Sequence, residues 1–266
     1  MELSQKLPAQ LLGWYDKGHR SLPWRDHPIP YYVWISEIML QQTRVEAVKP
    51  YFLRFIKTLP DVKALACAEE ETLLKLWEGL GYYRRVYHLQ KAAQMIVERY
   101  DGEIPGTYAQ LRSLPGIGDY TAGAIASIAF GQPKAAVDGN VLRVIMRFCG
   151  DYRDITVLTV KREVTKALEE IYPPDRCGDF TQSLMELGAT VCLPNGMPKC
   201  DQCPLAGDCL AHLTNCADEL PVKKQKKARK IQPYTLLILR CQGKIAIRKR
   251  TRQGLLYRMW ELPNTE

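Results

Sequence analysis

The chain has 266 residues, 46% hydrophobic and 25% charged, which is enough apolar matter to bury a sizeable core and excludes a disordered or fibrous chain. The formal net charge is +8 but uneven: residues 221–266 carry 13 Lys and Arg against 2 acids, and residues 1–220 carry 24 against 27. A nucleic-acid surface on the body therefore has to be a local patch helped by backbone amides, while the basic end adds salt-sensitive attraction to a polyanion.

No apolar run reaches the roughly 18–20 residues of a membrane span. The opening MELSQKLPAQLL lacks the layout of a signal peptide. A cytoplasmic protein without a membrane partner is expected, and its nine cysteines are then metal ligands or free thiols rather than disulfides.

Apolar residues recur at three- and four-residue spacing through 31–46, 64–78, 84–99, 107–113, 119–131, 138–149, 158–171 and 178–189, so residues 1–220 read as helix after helix. In the first of these, Tyr31, Trp34, Ile38 and Val45 form a stripe with Glu37 on its edge, alongside Gln41 and Arg44. A carboxyl at that boundary is partly desolvated, which raises its pKa. Gln42 falls near the apolar side of the same helix, an awkward place for an amide. Gly79-Leu80-Gly81 makes a turn that presents Tyr82. Leu114-Pro115-Gly116-Ile117-Gly118 forms a second turn, opening a small-residue helix. Glycines there admit backbone angles closed to other residues, and N–H groups at a helix start can point at an anion. By itself such a turn is also an ordinary connector. Val137-Asp138-Gly139-Asn140 follows, with Asp138 placed to cap the next helix.

Cys192, Cys200, Cys203 and Cys209 are spaced C-x7-C-x2-C-x5-C, close enough to wrap one metal centre. Soft thiolates suit an iron–sulfur cluster or zinc, and the spacing alone does not separate them. Residues 221–230 form a cationic run typical of a linker. Beyond it, Tyr234–Arg240 and Lys244–Arg248 flank Gln242-Gly243 as a β-hairpin.

These features together resemble the helix-hairpin-helix DNA glycosylases of the endonuclease III superfamily. The segments PWRDHPIPYYVWISEIMLQQTRVEAV, LWEGLGYYRRVYHLQKAA, LPGIGDYTAGA and VDGN, with the four-cysteine loop, are most similar to its adenine-specific, MutY-like branch. The likeness covers essentially all of 1–220, and GLLYRMWELPN resembles the start of that branch's MutT-like C-terminal domain. The resemblance implies a mainly α fold: a two-lobed helical glycosylase body at 1–220 with its hairpin at 114–122 and cluster loop at 192–209. A basic linker at 221–232 and an incomplete MutT/Nudix-like domain at 233–266 would follow. Two departures stand out. Seven residues separate Cys192 from Cys200 where the family usually has six. The chain also ends within the domain that, in the family, helps recognise 8-oxoguanine.

The resemblance also assigns roles. Glu37 protonates the departing adenine and then activates water, Asp138 stabilises the sugar cation, and Asn140 orients Asp138 or the sugar-phosphate. Tyr120 occupies the position of the lysine with which strand-cutting members form a Schiff base, so a monofunctional enzyme is implied. Gln42 and Tyr82 wedge into the base stack, while Trp24, Arg25 and Gln182 border the base pocket. Gly116, Ile117 and Gly118 hold a phosphate through backbone N–H groups, with a monovalent cation on the hairpin carbonyls, and Lys199 contacts a phosphate. The four cysteines hold a 4Fe-4S cluster, zinc being the alternative. The partner is double-stranded DNA with adenine opposite 8-oxoguanine or guanine, bound by a monomer. The competing readings are an endonuclease III-like glycosylase/lyase, against which Tyr120 argues, and a non-catalytic DNA-binding scaffold, against which the Glu37–Asp138 pair argues.

Overall fold

The computed structural model describes residues 1–224, 231, 233–251, 257 and 259–265. Two units divide the chain, Met1–Lys224 and Gln225–Glu266.

The first unit is helical throughout: α1 (Leu7–Gly18), α2 (Pro23–Asp26), α3 (Pro30–Leu40), α4 (Val45–Thr58), α5 (Val62–Cys67), α6 (Glu70–Trp77), α7 (Arg84–Tyr100), α8 (Tyr108–Arg112), α9 (Asp119–Ile128), α10 (Gly139–Phe148), α11 (Leu158–Glu169), α12 (Cys177–Thr190) and α13 (Leu210–Leu213). Prolines start α2 and α3, where the missing N–H costs nothing. Side chains of Asp61, Thr107 and Asp138 accept backbone N–H groups at the starts of α5, α8 and α10. None of the helices among the described residues is long and apolar enough to cross a membrane.

Two of the expected helices are each two helices. The segment 31–46 breaks after Leu40, and 64–78 breaks at Ala68–Glu69. Neither break carries glycine or proline, so local signals do not mark them. What stabilises both is α7. Gln90 donates to the Ala68 carbonyl at 2.6 Å and Gln94 to that of Ala66 at 3.3 Å, while Arg85 takes the carbonyls freed at the end of α3. Tertiary hydrogen bonds thus replace the intrahelical ones.

Two apolar cores make two lobes. One gathers α2–α9 around Trp34, Phe52, Phe55 and Trp77; the other gathers α1, α10, α11 and α12 around Leu7, Leu11, Ile145 and Phe180. Burying each such side chain contributes roughly 1.5–3 kcal/mol. Between the lobes runs α9, packed on α3 and on α12. Its buried Thr121, Ala122, Ala124, Ala126 and Ser127 are small enough to let both neighbours approach. On α12, Gly188 abuts the start of α10, where a Cβ would come within 2.7 Å of Asn140 Cβ.

The second unit contains, among its described residues, three two-stranded antiparallel ladders. Its hairpin pairs Arg240 with Ile245 and Cys241 with Lys244. Gln242 (φ 48°) and Gly243 (φ 74°) make the left-handed two-residue turn that the sequence expects. The strands are shorter than the periodicity predicts, because Thr235–Leu236 pairs instead with Asn264–Thr265, and Arg248–Lys249 with Trp260–Glu261. Much of the expected linker (225–230 and 232) and residues 252–256 and 258 of the following segment lie outside the described residues.

Candidate active site in the cleft between the lobes

A cleft of about 900 Å³ opens where α2, α3, α9, α10 and α12 converge. Its walls carry Glu37 from the last turn of α3, Tyr120 from the first turn of α9, and Asp138 and Asn140 from the start of α10. Trp24 and Arg25 of α2 and Gln182 of α12 line it too, as does Gln42. Segments that are far apart in sequence thus bring eight of the expected residues to one cavity.

Glu37 is more buried than its place at the edge of a stripe predicts. Its exposure is 5%, and Oε2 is buried with no hydrogen-bond partner among the described residues. Burial is the largest influence and pushes the carboxyl up from 4.5 to about 7; the Tyr120 hydroxyl opposes this, the charge of Asp138 adds to it, and Arg25 opposes it. The Tyr120 hydroxyl is held well above its ordinary range by burial and by the two carboxylates, and it also donates to Met185 Sδ at 3.8 Å. It is therefore a neutral phenol, a donor beside the acid.

Asp138 is fixed twice. Oδ1 accepts the Val141 N–H at 2.8 Å as the helix cap, and Oδ2 accepts Asn140 Nδ2 at 2.7 Å. The amide orientation of Asn140 follows from its other contact: Arg143, which can only donate, reaches Asn140 Oδ1 at 3.0 Å. Arg143 continues to the Gly188 carbonyl at 2.7 Å and the Cys192 carbonyl at 2.8 Å. One turn on, buried Arg147 donates to Leu220 O, Leu193 O and Cys192 Sγ at 2.9, 2.9 and 3.4 Å. This arginine pair ties the start of the Asp138 helix to the cysteine loop. In the sequence it shows only as two cations, i and i+4, on a largely apolar helix.

Glu186 is a third unforeseen residue. It is 2% exposed, takes Arg20 through both oxygens at 2.6 and 2.9 Å, and takes Arg25 at 2.9 Å. Burial by itself raises its pKa, but the two guanidinium groups outweigh that and hold it below the usual range.

Other expected contacts lie at the rim of the cleft or beyond it. Gln42, though it borders the cleft, does not sit on the helix with Glu37: it is exposed, beyond the end of α3, at φ 61°. Tyr82 is 63% exposed at φ 49°. Left-handed backbone costs a residue other than glycine roughly 1–2 kcal/mol, so both turns are strained and project polar or aromatic tips into solvent. In the 114–118 turn, Gly116 takes φ 78° with its Cα face against His88. Ile117 differs from expectation, for its side chain is buried in the core and its N–H already donates to Leu114 O at 3.2 Å. Of the three amides proposed for a phosphate, that one is committed within the turn.

The four cysteines line one small cavity of about 30 Å³, with Arg147 beside them and exposed Lys199 on the rim. A donor set made only of sulfur fits a soft centre. Among the described residues, no three His, Cys, Asp or Glu side chains converge as a single-ion site would require.

A helical two-lobed body with a hairpin between helices thus holds a buried acid and a fixed carboxylate in one cleft. Residues 35–174 match the family described as "HhH-GPD superfamily base excision DNA repair protein". An adenine DNA glycosylase of Buchnera aphidicola subsp. Baizongia pistaciae is 38% identical over 257 residues, covering 95% of this chain and 72% of that protein. Among solved structures, a thermostable thymine-DNA glycosylase superposes with TM-score 0.72 at 27% identity, covering 79% of this chain and 97% of that one. An endonuclease III–DNA complex does so with TM-score 0.65 at 25% identity, covering 80% and 98%. The chain belongs to the adenine DNA glycosylase family of the HhH-GPD superfamily.

Proposed function

We propose that the chain is a monofunctional glycosylase that excises adenine opposite 8-oxoguanine or guanine in double-stranded DNA. The observation that carries the reading is Glu37: a buried carboxyl pushed up to about 7, across a cleft from a doubly anchored Asp138. The adenine nucleotide leaves the stack and its base enters the cleft, where Trp24, Arg25 and Gln182 border it. Glu37 gives its proton to a ring nitrogen of adenine. The bonding pair of the C1′–N9 bond departs with the base, and positive charge develops at C1′ beside Asp138. Water then adds to C1′, and its proton returns to Glu37, leaving free adenine and an abasic site. Asn140, whose own orientation Arg143 fixes, keeps Asp138 aimed at the sugar. Tyr120 offers no amine, so the reaction stops at hydrolysis.

Cys192, Cys200, Cys203 and Cys209 would hold a 4Fe-4S cluster, and such a centre would stiffen the loop that presents Lys199 to a phosphate. Gly116 and Gly118 would face a second phosphate, with a monovalent cation on the hairpin carbonyls.

Single-turnover excision on a duplex with adenine opposite 8-oxoguanine tests the reading. Glu37→Gln is expected to lose about 10²–10⁴ in rate. Equal rates for the two proteins reject it, and a borohydride-trapped covalent complex converts it to the lyase reading. Iron and sulfide analysis decides the cysteine centre: zinc without sulfide overturns the cluster.

A further inference from the structure

We propose that Arg85 is a positioning residue that locks the turns carrying Gln42 and Tyr82 into one register, so that the two side chains meet the duplex as a unit. The proposal rests on the DNA-binding reading of those turns. One guanidinium does the holding. Its Nη1 donates to the carbonyls of Ile38, Met39 and Gln41 at 2.8, 3.1 and 2.7 Å. Nη2 donates to the carbonyls of Leu80 and Gly81, each at 3.1 Å. The first group closes the end of α3 and runs into the Gln42 turn; the second forms the turn before Tyr82. The same cation lies 5.2 Å from the Trp77 ring centroid and 5.7 Å from that of Tyr82 itself.

The arrangement is specific to arginine. The four N–H groups of the two Nη atoms reach five carbonyls in two directions from one plane, one hydrogen of Nη1 being shared, whereas a lysine ammonium has three donors on one atom. Its retention also outweighs evident costs. Nε is buried with no partner among the described residues, and both turns hold non-glycine residues in left-handed backbone. Three of the acceptors lie within four residues after Glu37. Closing the end of α3 therefore sets the last turn that carries the acid as well as the turn that enters DNA, and the cation is favourable at that helix C-terminus. Insertion into the stack and delivery of the acid are thereby coupled through one side chain.

Arg85→Lys and Arg85→Met test this with three readouts: thermal melting, hydrogen exchange, and single-turnover excision on two duplexes. One duplex pairs adenine with 8-oxoguanine; the other sets adenine opposite an abasic analogue, so that it is already unpaired and easier to extrude. With melting little changed in the lysine variant, exchange at both 41–44 and 80–83 is expected to rise together. Excision from the paired duplex is expected to fall about tenfold or more, and from the unpaired duplex far less. Loosening of only one turn, or equal loss on both duplexes, overturns the proposal. If the methionine variant fails to fold, the lysine variant carries the test. Failure of the wild-type chain to excise adenine from either duplex rejects the proposed function instead. The exchange arm, with 2-aminopurine fluorescence as the report of base extrusion, then judges the clamp alone.

Discussion

Glu186 Oε2 holds Arg25 at 2.9 Å on the wall of the cleft that buries Glu37, so a carboxylate that never faces the cavity decides where its cation stands. Arg25 opposes the raised pKa of Glu37, and Glu186 ties up part of that charge.

Glu186→Gln frees Arg25 to bear on Glu37. The excision rate of this variant is expected to lose its protonated-acid activity at a lower pH than the parent. The lost ion pair also costs stability, about 2–3 kcal/mol given that Arg20 is partly exposed. A pH–rate profile with an unmoved midpoint would mean that Arg25 does not reach the acid.

Tyr120→Phe acts in the opposite direction. Its hydroxyl favours the charged form of Glu37, so its removal should move the midpoint of the same profile above the parent's. Opposite displacements in the two variants, measured under single-turnover conditions, would tie both to one carboxyl.

Glu37 itself links catalysis to stability. The folded chain holds its proton to about pH 7, the unfolded chain only to about 4.5. Its contribution is therefore complete below 4.5 and is lost as the pH rises through 7, by roughly 3 kcal/mol in all. Glu37→Gln, which stays neutral, is expected to melt higher than the parent at pH 8 while excising adenine far more slowly. Denaturant melts at pH 5 and 8 give the comparison, and a gain that is no larger at pH 8 than at pH 5 counts against the burial argument.

Asn140→Ala removes the Oδ2 partner of Asp138 and one acceptor of Arg143. Loss of about 1–3 kcal/mol of stability is expected, together with slower single-turnover excision at unchanged duplex affinity. A weakened affinity with an intact rate would place Asn140 in DNA binding alone.

Some of this was legible in the sequence and some was not. The run of helices, the cap at Asp138, the hairpin at 114–118 and the turn at Gln242-Gly243 are local, set by periodicity, side-chain capping and backbone freedom. The breaks after Leu40 and at Ala68 carry no local mark, because the groups that satisfy them come from α7. Glu186, Arg143 and Arg147 were passed over for a related reason. A charged residue on a helix reads as solvated until its partners are known, and theirs are up to 166 residues away.

The sequence by itself determined the helical body, the family resemblance and which side chains could carry chemistry. Tertiary structure alone decided that the Glu37 carboxyl is buried and its pKa raised. Desolvation is a property of everything packed around a carboxyl, and here that packing is assembled from α3, α9, α10 and α12. Only the fold brings those four helices together.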